Sequence, residues 1–277
     1  MDLLIITGIV LALMLNFVNG VNDASHSIAT VVETRALSPL KASISSAIAN
    51  FIGPFVFTTA VAATIGTALV VPGAMTPLSL VVAMLVSIML ILAATHIGLP
   101  LSSSHALIGG ILGTGVAAAG LSALILPPAG MIKSLILFSL IGAGIGALIL
   151  GILAYYLKEG IRPALVLGVI FGISVTIPLM ILADLLVLSG ILAIIVFIFI
   201  SPVIGFIAAF LFDLLVSHLF RFSRQNRMRR IFQPLQVAAS LFQAAGHGAN
   251  DGQHAVGVIS ALLLAGGLIP SFMVPQW

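Results

Sequence analysis

Two short polar segments share a pattern of residues that could bind an ion inside a membrane. Gly20–His26 aligns with Gly248–His254 at an offset of 228 residues, with Gly, Asn, Asp and His identical in both copies. Carboxylate and amide oxygens suit a hard cation, and a carboxylate can also exchange a proton. The pattern predicts a cation site formed by Asn22, Asp23, Asn250 and Asp251.

The same repeat also suggests supporting residues. These are the two glycines that precede the Asn-Asp pairs and the two histidines that follow them, namely Gly20, His26, Gly248 and His254. The remaining histidines His96, His218 and His247 are interpreted as structural or interfacial. The alternative is that each aspartate caps a helix or forms an Asx turn and satisfies only local N–H groups.

A third polar segment, Pro100–His105, could hold an anion. Proline pre-sets the first turn of a helix, where unpaired N–H groups and the helix dipole favour negative charge. The hydroxyls of Ser102, Ser103 and Ser104 would add donors for a tetrahedral oxyanion, and His105 would orient them. The alternative is an ordinary helix N-cap with extra serines.

The composition predicts that these segments lie in a helical membrane protein. Hydrophobic residues make up 61% of the chain and charged residues only 6%, whereas soluble domains carry about 25% charged residues. A span needs about 20 apolar residues. Apolar segments run over 3–15, 42–71, 77–99, 106–126, 132–157, 164–188, 189–217 and 235–265.

Polar residues interrupt the apolar pattern at 16–27 and at 246–254. These interruptions predict breaks in the helical backbone that line a cavity. If 100–126 re-enters the membrane, five crossings separate the two Asn-Asp copies, and the second copy is inverted. The predicted fold is therefore an all-α membrane protein, a polytopic helical bundle with inverted repeats and broken or re-entrant helices.

The basic residues predict the orientation and the division of the chain. With five crossings, Arg35, Lys41 and Lys133 lie on one side, and Lys158, Arg162 and the arginines of Arg221–Arg230 lie on the other. The positive-inside rule then makes residues 221–232 a cytoplasmic loop. It would join a first half with its connecting helices, 1–220, to the start of a second, inverted half, 233–277.

The sequence does not support an enzyme or a nucleic-acid-binding protein. It has no cysteine, no HExxH, no P-loop and no dinucleotide fingerprint. The GxxxG pairs Gly142/Gly146 and Gly168/Gly172 are explained by helix packing. From the residues alone, the favoured function is movement of a small anion, and a non-transporting membrane scaffold remains open.

These motifs resemble those of the inorganic phosphate transporter family, the Pit-type permeases. The family has a G-x-N-D segment near the start of each half and a P-x-S-[ST]-[ST]-H segment later in each half. Gly20–Asp23, His247–Gln253 and Gly98–Gly109 are similar to three of these four segments.

The resemblance implies a cell-membrane symporter of inorganic phosphate that uses Na⁺ or H⁺ and no other cofactor. Ser102, Ser103, Ser104, Asp23 and Asp251 would bind phosphate. A second serine segment would fall near residue 330, beyond Trp277, so we expect a truncated form of a longer permease. Sulfate or another oxyanion remains an alternative cargo, and the assembly is left open between a monomer and a homodimer.

Overall fold

The computed structural model describes residues 3–56, 60–99 and 101–274. These residues form nine α-helices, which confirms the predicted all-α fold. By their internal contacts they divide into two compact units, residues 1–125 with 223–277 and residues 126–222. The two Asn-Asp motifs therefore belong to one unit although 228 residues separate them in the sequence.

The first unit contains six helices, and it holds every predicted site residue. They are α1 (Leu3–Glu33), α2 (Pro39–Val56), α3 (Ala60–Thr67), α4 (Pro77–His96), α5 (Ser103–Ala119) and α9 (Gln225–Ala265). The helices that carry the repeat, α1 and α9, pack against each other, and α2 and α3 also pack against α9.

Helices α1 and α9 run antiparallel along most of their length. Gly8 near the start of α1 lies against Leu262 near the end of α9. The backbone carbonyl of Ser27 accepts a hydrogen bond from Ser240, and that of Arg35 accepts one from Gln233. Because the residue number falls along α9 as it rises along α1, the second copy of the repeat is inverted relative to the first, as predicted.

The same contacts correct the predicted placement of Arg35. Arg35 lies beside Gln233, one to two turns from the arginines at 227–230, so these basic groups share one end of the unit and not opposite sides. Adjacent antiparallel helices whose ends meet are joined by an even number of crossings. The described helices between α1 and α9 that are long and apolar enough to cross a bilayer are α4, α6, α7 and α8, and the bent pair α2–α3 is a fifth candidate.

Both helices of the repeat are continuous, which corrects a second prediction. Helix α1 runs unbroken through 16–27, and α9 through 246–254. Each aspartate is therefore far from a helix end, which excludes the capping alternative. The arginine segment is also largely helical, since α9 begins at Gln225 within the predicted 221–232 loop. The carboxylates of the two motifs accept hydrogen bonds from the asparagines of their own helices, and Asp251 also accepts one from Asn19 of the partner helix.

A helix break does occur, between α2 and α3. The axes of the segments 39–56 and 61–67 differ by 69°. The side-chain carbonyl of Gln253 accepts hydrogen bonds from the N–H groups of Val61 (3.0 Å) and Ala62 (3.3 Å). An α9 side chain thus satisfies N–H groups that the first turn of α3 leaves without helical partners.

Glycines allow α9 to approach this bent pair closely. A Cβ at Gly248 would overlap the backbone carbonyl of Asn50, and one at Gly53 would overlap that of Ala245. The seam between α2 and α9 is therefore a contact between backbones, as small residues permit in membrane helices.

The second unit contains α6 (Ala129–Leu157), α7 (Ile161–Leu182) and α8 (Gly190–Phe220). Gly142 and Gly146 of α6 face Gly168 and Gly172 of α7, and a Cβ at any of them would overlap the neighbouring helix. This confirms the predicted helix-packing role of the GxxxG pairs. Ile177, Leu186 and Ile200 form the core between α7 and α8.

Within the described residues, five helices are long and apolar enough to cross a bilayer. They are α1, α4, α6, α7 and α8, and the bent pair α2–α3 is a sixth candidate. These helices expose most of their leucine, isoleucine and phenylalanine side chains, as a lipid-facing surface does. The polytopic helical architecture predicted from the composition is confirmed.

Candidate functional site

The aspartates of the two repeats converge on one histidine. The Nε2 atom of His247 lies 3.2 Å from a carboxylate oxygen of Asp251 and 3.5 Å from one of Asp23. One ligand atom from each of the three residues lies within 4.8 Å of the other two, a spacing that fits a metal ion. Two carboxylates at this distance repel each other unless a cation or donors lie between them.

Asn19 provides a second contact between the repeats. Its side-chain amide donates to Asp251 at 2.5 Å, and the residue is only 4% exposed. Asn19 occupies in the first repeat the position of His247 in the second, since each stands four residues before its aspartate. Each of these residues therefore contacts the carboxylate of the opposite repeat.

Other contacts are the same in both repeats. The amide of Asn22 donates to Asp23 at 2.7 Å, and the amide of Asn250 donates to Asp251 at 2.8 Å. The Asn-Asp pair thus acts as a local unit in which the amide fixes the orientation of the carboxylate.

Asn22 additionally connects α1 to the segment before the serines. Its amide carbonyl accepts from the hydroxyl of Thr95 at 2.8 Å, and its amide N–H also donates to the backbone carbonyl of Leu101 at 3.3 Å. Because these contacts engage both ends of the amide, Asn22 positions Asp23 and the α4–α5 connection.

The serine segment lies at the N-terminus of α5, as predicted. Ser102 is the N-cap and accepts from the N–H of His105 at 3.4 Å. Ser103 is buried and lines a cavity of about 10 Å³ with Asn19, Asp251 and His254. The structure therefore brings Ser103 to the Asp251 side of the cluster, whereas Ser102 and His105 are exposed and Ser104 is half-buried. Pro100 lies outside the described residues.

The predicted supporting histidines differ in environment. His26 has 63% of its side chain exposed, and its Nδ1 atom is 3.6 Å from Asp23. His254 has 9% exposed, and its Nδ1 atom is 3.9 Å from Asp251. The supporting glycines differ too, because Gly248 contacts Asn50 and a Cβ at Gly20 would meet nothing within 4 Å.

A larger cavity adjoins the cluster. It measures about 480 Å³, lies between α1, α2 and α9, and reaches His247. The amide of Asn50 on α2 lies 3.0 Å from the Nδ1 atom of His247. This cavity was not predicted, although its α2 residues recur at helical spacing within an apolar run.

Two residues of the cluster were misjudged or missed. His247 was interpreted as structural, and Asn19 was not singled out. A signal for both exists in the sequence, since extending the alignment of the repeats by one residue upstream pairs Asn19 with His247, two polar groups at membrane depth.

The fold and the site together define a multi-pass membrane protein whose inverted repeats converge on one polar centre. Residues 19–171 match the model of the phosphate transporter family. The chain belongs to this family, which confirms the resemblance drawn from the motifs. The family comprises transporters, so the protein is a multi-pass membrane transporter homologue and not an enzyme.

Individual proteins agree with this assignment. A protein of Rhizobium meliloti (strain 1021) described as a "Probable low-affinity inorganic phosphate transporter" is 32% identical over 97% of this chain and 62% of its own length. A protein of Bacillus subtilis (strain 168) with the same description is 31% identical over 100% of this chain and 66% of its own length. The chain thus spans slightly less than two thirds of these relatives.

A solved structure described as "The sodium-dependent phosphate transporter" shares the fold. It matches 99% of this chain and 71% of its own chain with a TM-score of 0.60 at 18% sequence identity.

Proposed function

We propose that this chain forms the binding centre of a permease that moves inorganic phosphate together with a cation. Na⁺ is the first candidate for that cation and H⁺ the second. The proposal is supported by membership of the phosphate transporter family and by the descriptions of the two bacterial relatives. The description of the structural neighbour favours Na⁺.

One observation carries the proposal: the carboxylates of two inverted repeats meet at His247. An anion cannot bind beside two carboxylates unless their negative charge is first offset. A cation held by Asp23 and Asp251 would supply that offset, and it would make phosphate binding depend on cation binding. Asn22 and Asn250 would orient the carboxylates.

The serines at the start of α5 would bind the anion beside this cation. Ser102, Ser103 and Ser104 offer hydroxyls next to the free N–H groups of the helix N-terminus, which attract negative charge. A monoprotonated phosphate can also donate a hydrogen bond to a carboxylate, which fully ionised sulfate cannot. This difference favours phosphate over sulfate.

Uptake of radiolabelled phosphate into proteoliposomes that contain the full chain tests the proposal. We expect uptake driven by an inward Na⁺ gradient, weak competition by sulfate, and loss of uptake in Asp23→Asn. Uptake driven only by a proton gradient would replace Na⁺ by H⁺. Equal competition by sulfate would overturn phosphate as the cargo.

Equilibrium binding of phosphate to the same protein separates the remaining alternative. A scaffold that does not transport would neither bind phosphate in Na⁺ nor respond to Asp23→Asn. Saturable, Na⁺-dependent binding that this substitution weakens would exclude the scaffold.

A further inference from the structure

The larger cavity carries a set of polar groups that the proposed centre does not use. Its α2 wall presents Ser43, Ser46 and Asn50, spaced three and four residues apart on one face of the helix. Ser27 of α1 and His247 of α9 line the same cavity. The polar groups therefore lead from α2 to the carboxylate cluster.

Two of these serines are buried residues that line the cavity. Ser27 is 4% exposed and Ser46 is 7% exposed, and neither hydroxyl forms a hydrogen bond with any described residue. Serine hydroxyls within helices commonly bond to the carbonyl one turn before. Ser45 does so, and donates to the carbonyls of Lys41 (2.7 Å) and Ala42 (3.2 Å). The free hydroxyls of Ser27 and Ser46 are thus available to an occupant of the cavity.

The charge of the walls indicates which occupant fits. No aspartate, glutamate, lysine or arginine of the described chain lines this cavity. The smaller cavity is different, because Asp251 forms part of its wall. Hydroxyl, amide and imidazole groups can donate hydrogen bonds to an anion and do not repel it. Without a fixed positive charge they would hold it weakly, as a position along a transport path requires.

We infer that the face formed by Ser27, Ser46 and Asn50 is a second oxyanion position, at which phosphate docks before it reaches the cation-loaded carboxylates. The inference rests on the proposed function and extends it. Asn50 connects the two positions, since its amide contacts the histidine that bridges Asp23 and Asp251. Phe51 and Phe55, which lie 5.5 Å apart by their ring centroids, form an apolar part of the wall.

The test is the affinity of inorganic phosphate for the full chain in lipid nanodiscs at saturating Na⁺. We expect the double variant Ser27→Ala/Ser46→Ala to raise the Kd about fivefold to tenfold, the range for one or two lost hydrogen bonds. Ser45→Ala is the matched control, because Ser45 is adjacent in sequence but lies outside the cavity. It should leave the Kd unchanged.

Thermal unfolding distinguishes a docking role from a structural one. Because the hydroxyls of Ser27 and Ser46 bond to no described residue, the double variant should unfold at the wild-type temperature or above it. If the double variant misfolds, Ser43→Ala at the exposed edge of the same face should still raise the Kd by a smaller factor.

The outcomes separate this inference from the function on which it rests. If the wild-type chain binds phosphate and the serine variants bind it equally well, the cavity holds only water and the inference is overturned. If the wild-type chain binds no phosphate in Na⁺, the proposed function fails and the inference fails with it. A raised Kd in the double variant with an unchanged Ser45→Ala protein supports both.

Discussion

Asn19 in the first repeat and His247 in the second occupy matched positions, and each contacts the carboxylate of the opposite repeat. The amide of Asn19 reaches only Asp251, whereas the imidazole of His247 reaches both aspartates. The bonds within each Asn-Asp pair are the same in both halves. The inverted repeat is therefore symmetric in the bonds that orient each carboxylate and asymmetric in the groups that cross between them.

This asymmetry gives the two carboxylates different surroundings. Asp251 accepts hydrogen bonds from Asn19 and Asn250 and lies 3.2 Å from His247. Asp23 accepts a hydrogen bond from Asn22 and lies 3.5 Å from His247 and 3.6 Å from His26. We therefore expect Asp251 to be held more rigidly and to respond more strongly to substitution.

The largest effect is expected for Asp251→Asn. The new amide would direct N–H groups at the amide of Asn19 or lose its contact with His247. Hydrogen bonds to a charged group contribute about 1.5–3 kcal/mol each, so Na⁺-dependent phosphate affinity should fall about a hundredfold or more. Asp23→Asn should cost about tenfold, consistent with its fewer contacts.

The matched control for these charge removals is Asp184→Asn. Asp184 is exposed after α7 and has a positive φ of 57°, a conformation that asparagine also adopts readily. Equal losses for Asp23→Asn and Asp251→Asn would contradict the asymmetry of the centre.

Gly248→Ala should have the next largest effect, on stability. Its Cβ would overlap the backbone carbonyl of Asn50, and overpacking of this kind costs about 1–3 kcal/mol. Gly20→Ala, at the equivalent position of the first repeat, meets open space and should be neutral or gain up to about 1 kcal/mol in helix propensity. Thermal unfolding in detergent measures the difference, and equal melting temperatures would show that the α2–α9 seam is looser than described.

His247→Asn makes the two repeats alike at the crossing position. The shorter asparagine side chain should contact only one of the two carboxylates. Phosphate affinity should therefore fall about tenfold, the effect expected when one charge-assisted hydrogen bond is lost. His218→Asn on the exposed end of α8 is the matched control. Unchanged binding in His247→Asn would mean that the histidine does not bridge the carboxylates in the membrane.

The smallest expected difference is between Asn22→Ala and Asn250→Ala. Both remove the bond to the neighbouring aspartate, but only Asn22 also bonds to Thr95 and Leu101. Asn22→Ala should therefore destabilise the protein by about 1 kcal/mol more than Asn250→Ala, measured as the shift in unfolding temperature. Indistinguishable shifts would indicate that water replaces the contacts to Thr95 and Leu101.

Much of the fold was predictable because lipid constrains helices strongly. The apolar runs 77–99, 132–157 and 189–217 correspond closely to α4, α6 and α8. The breaks predicted at 16–27 and 246–254 were wrong. A single sequence does not show that the polar side chains of one repeat are satisfied by those of the other.

The candidate site was predictable where residue type and repetition coincide. The repeat identified the Asn-Asp pairs, and the structure brings their carboxylates together. That these residues and the serines bind a cation and phosphate stays a prediction, as do the division at residues 221–232, its cytoplasmic side and the oligomeric state. The face formed by Ser27, Ser46 and Asn50 was not predicted, because serines on an apolar helix are also common in ordinary helix packing.

The distance in sequence between the two repeats has a consequence for synthesis. Chains are made at about 5–20 residues per second, so Asp251 emerges roughly ten to fifty seconds after Asp23, given the 228-residue offset. During that time Asp23 has Asn22 beside it and neither the bridging imidazole nor its partner carboxylate. The nascent protein therefore inserts a carboxylate that costs about 3 kcal/mol at the helix centre, and α9, which is translated later, completes the pairing.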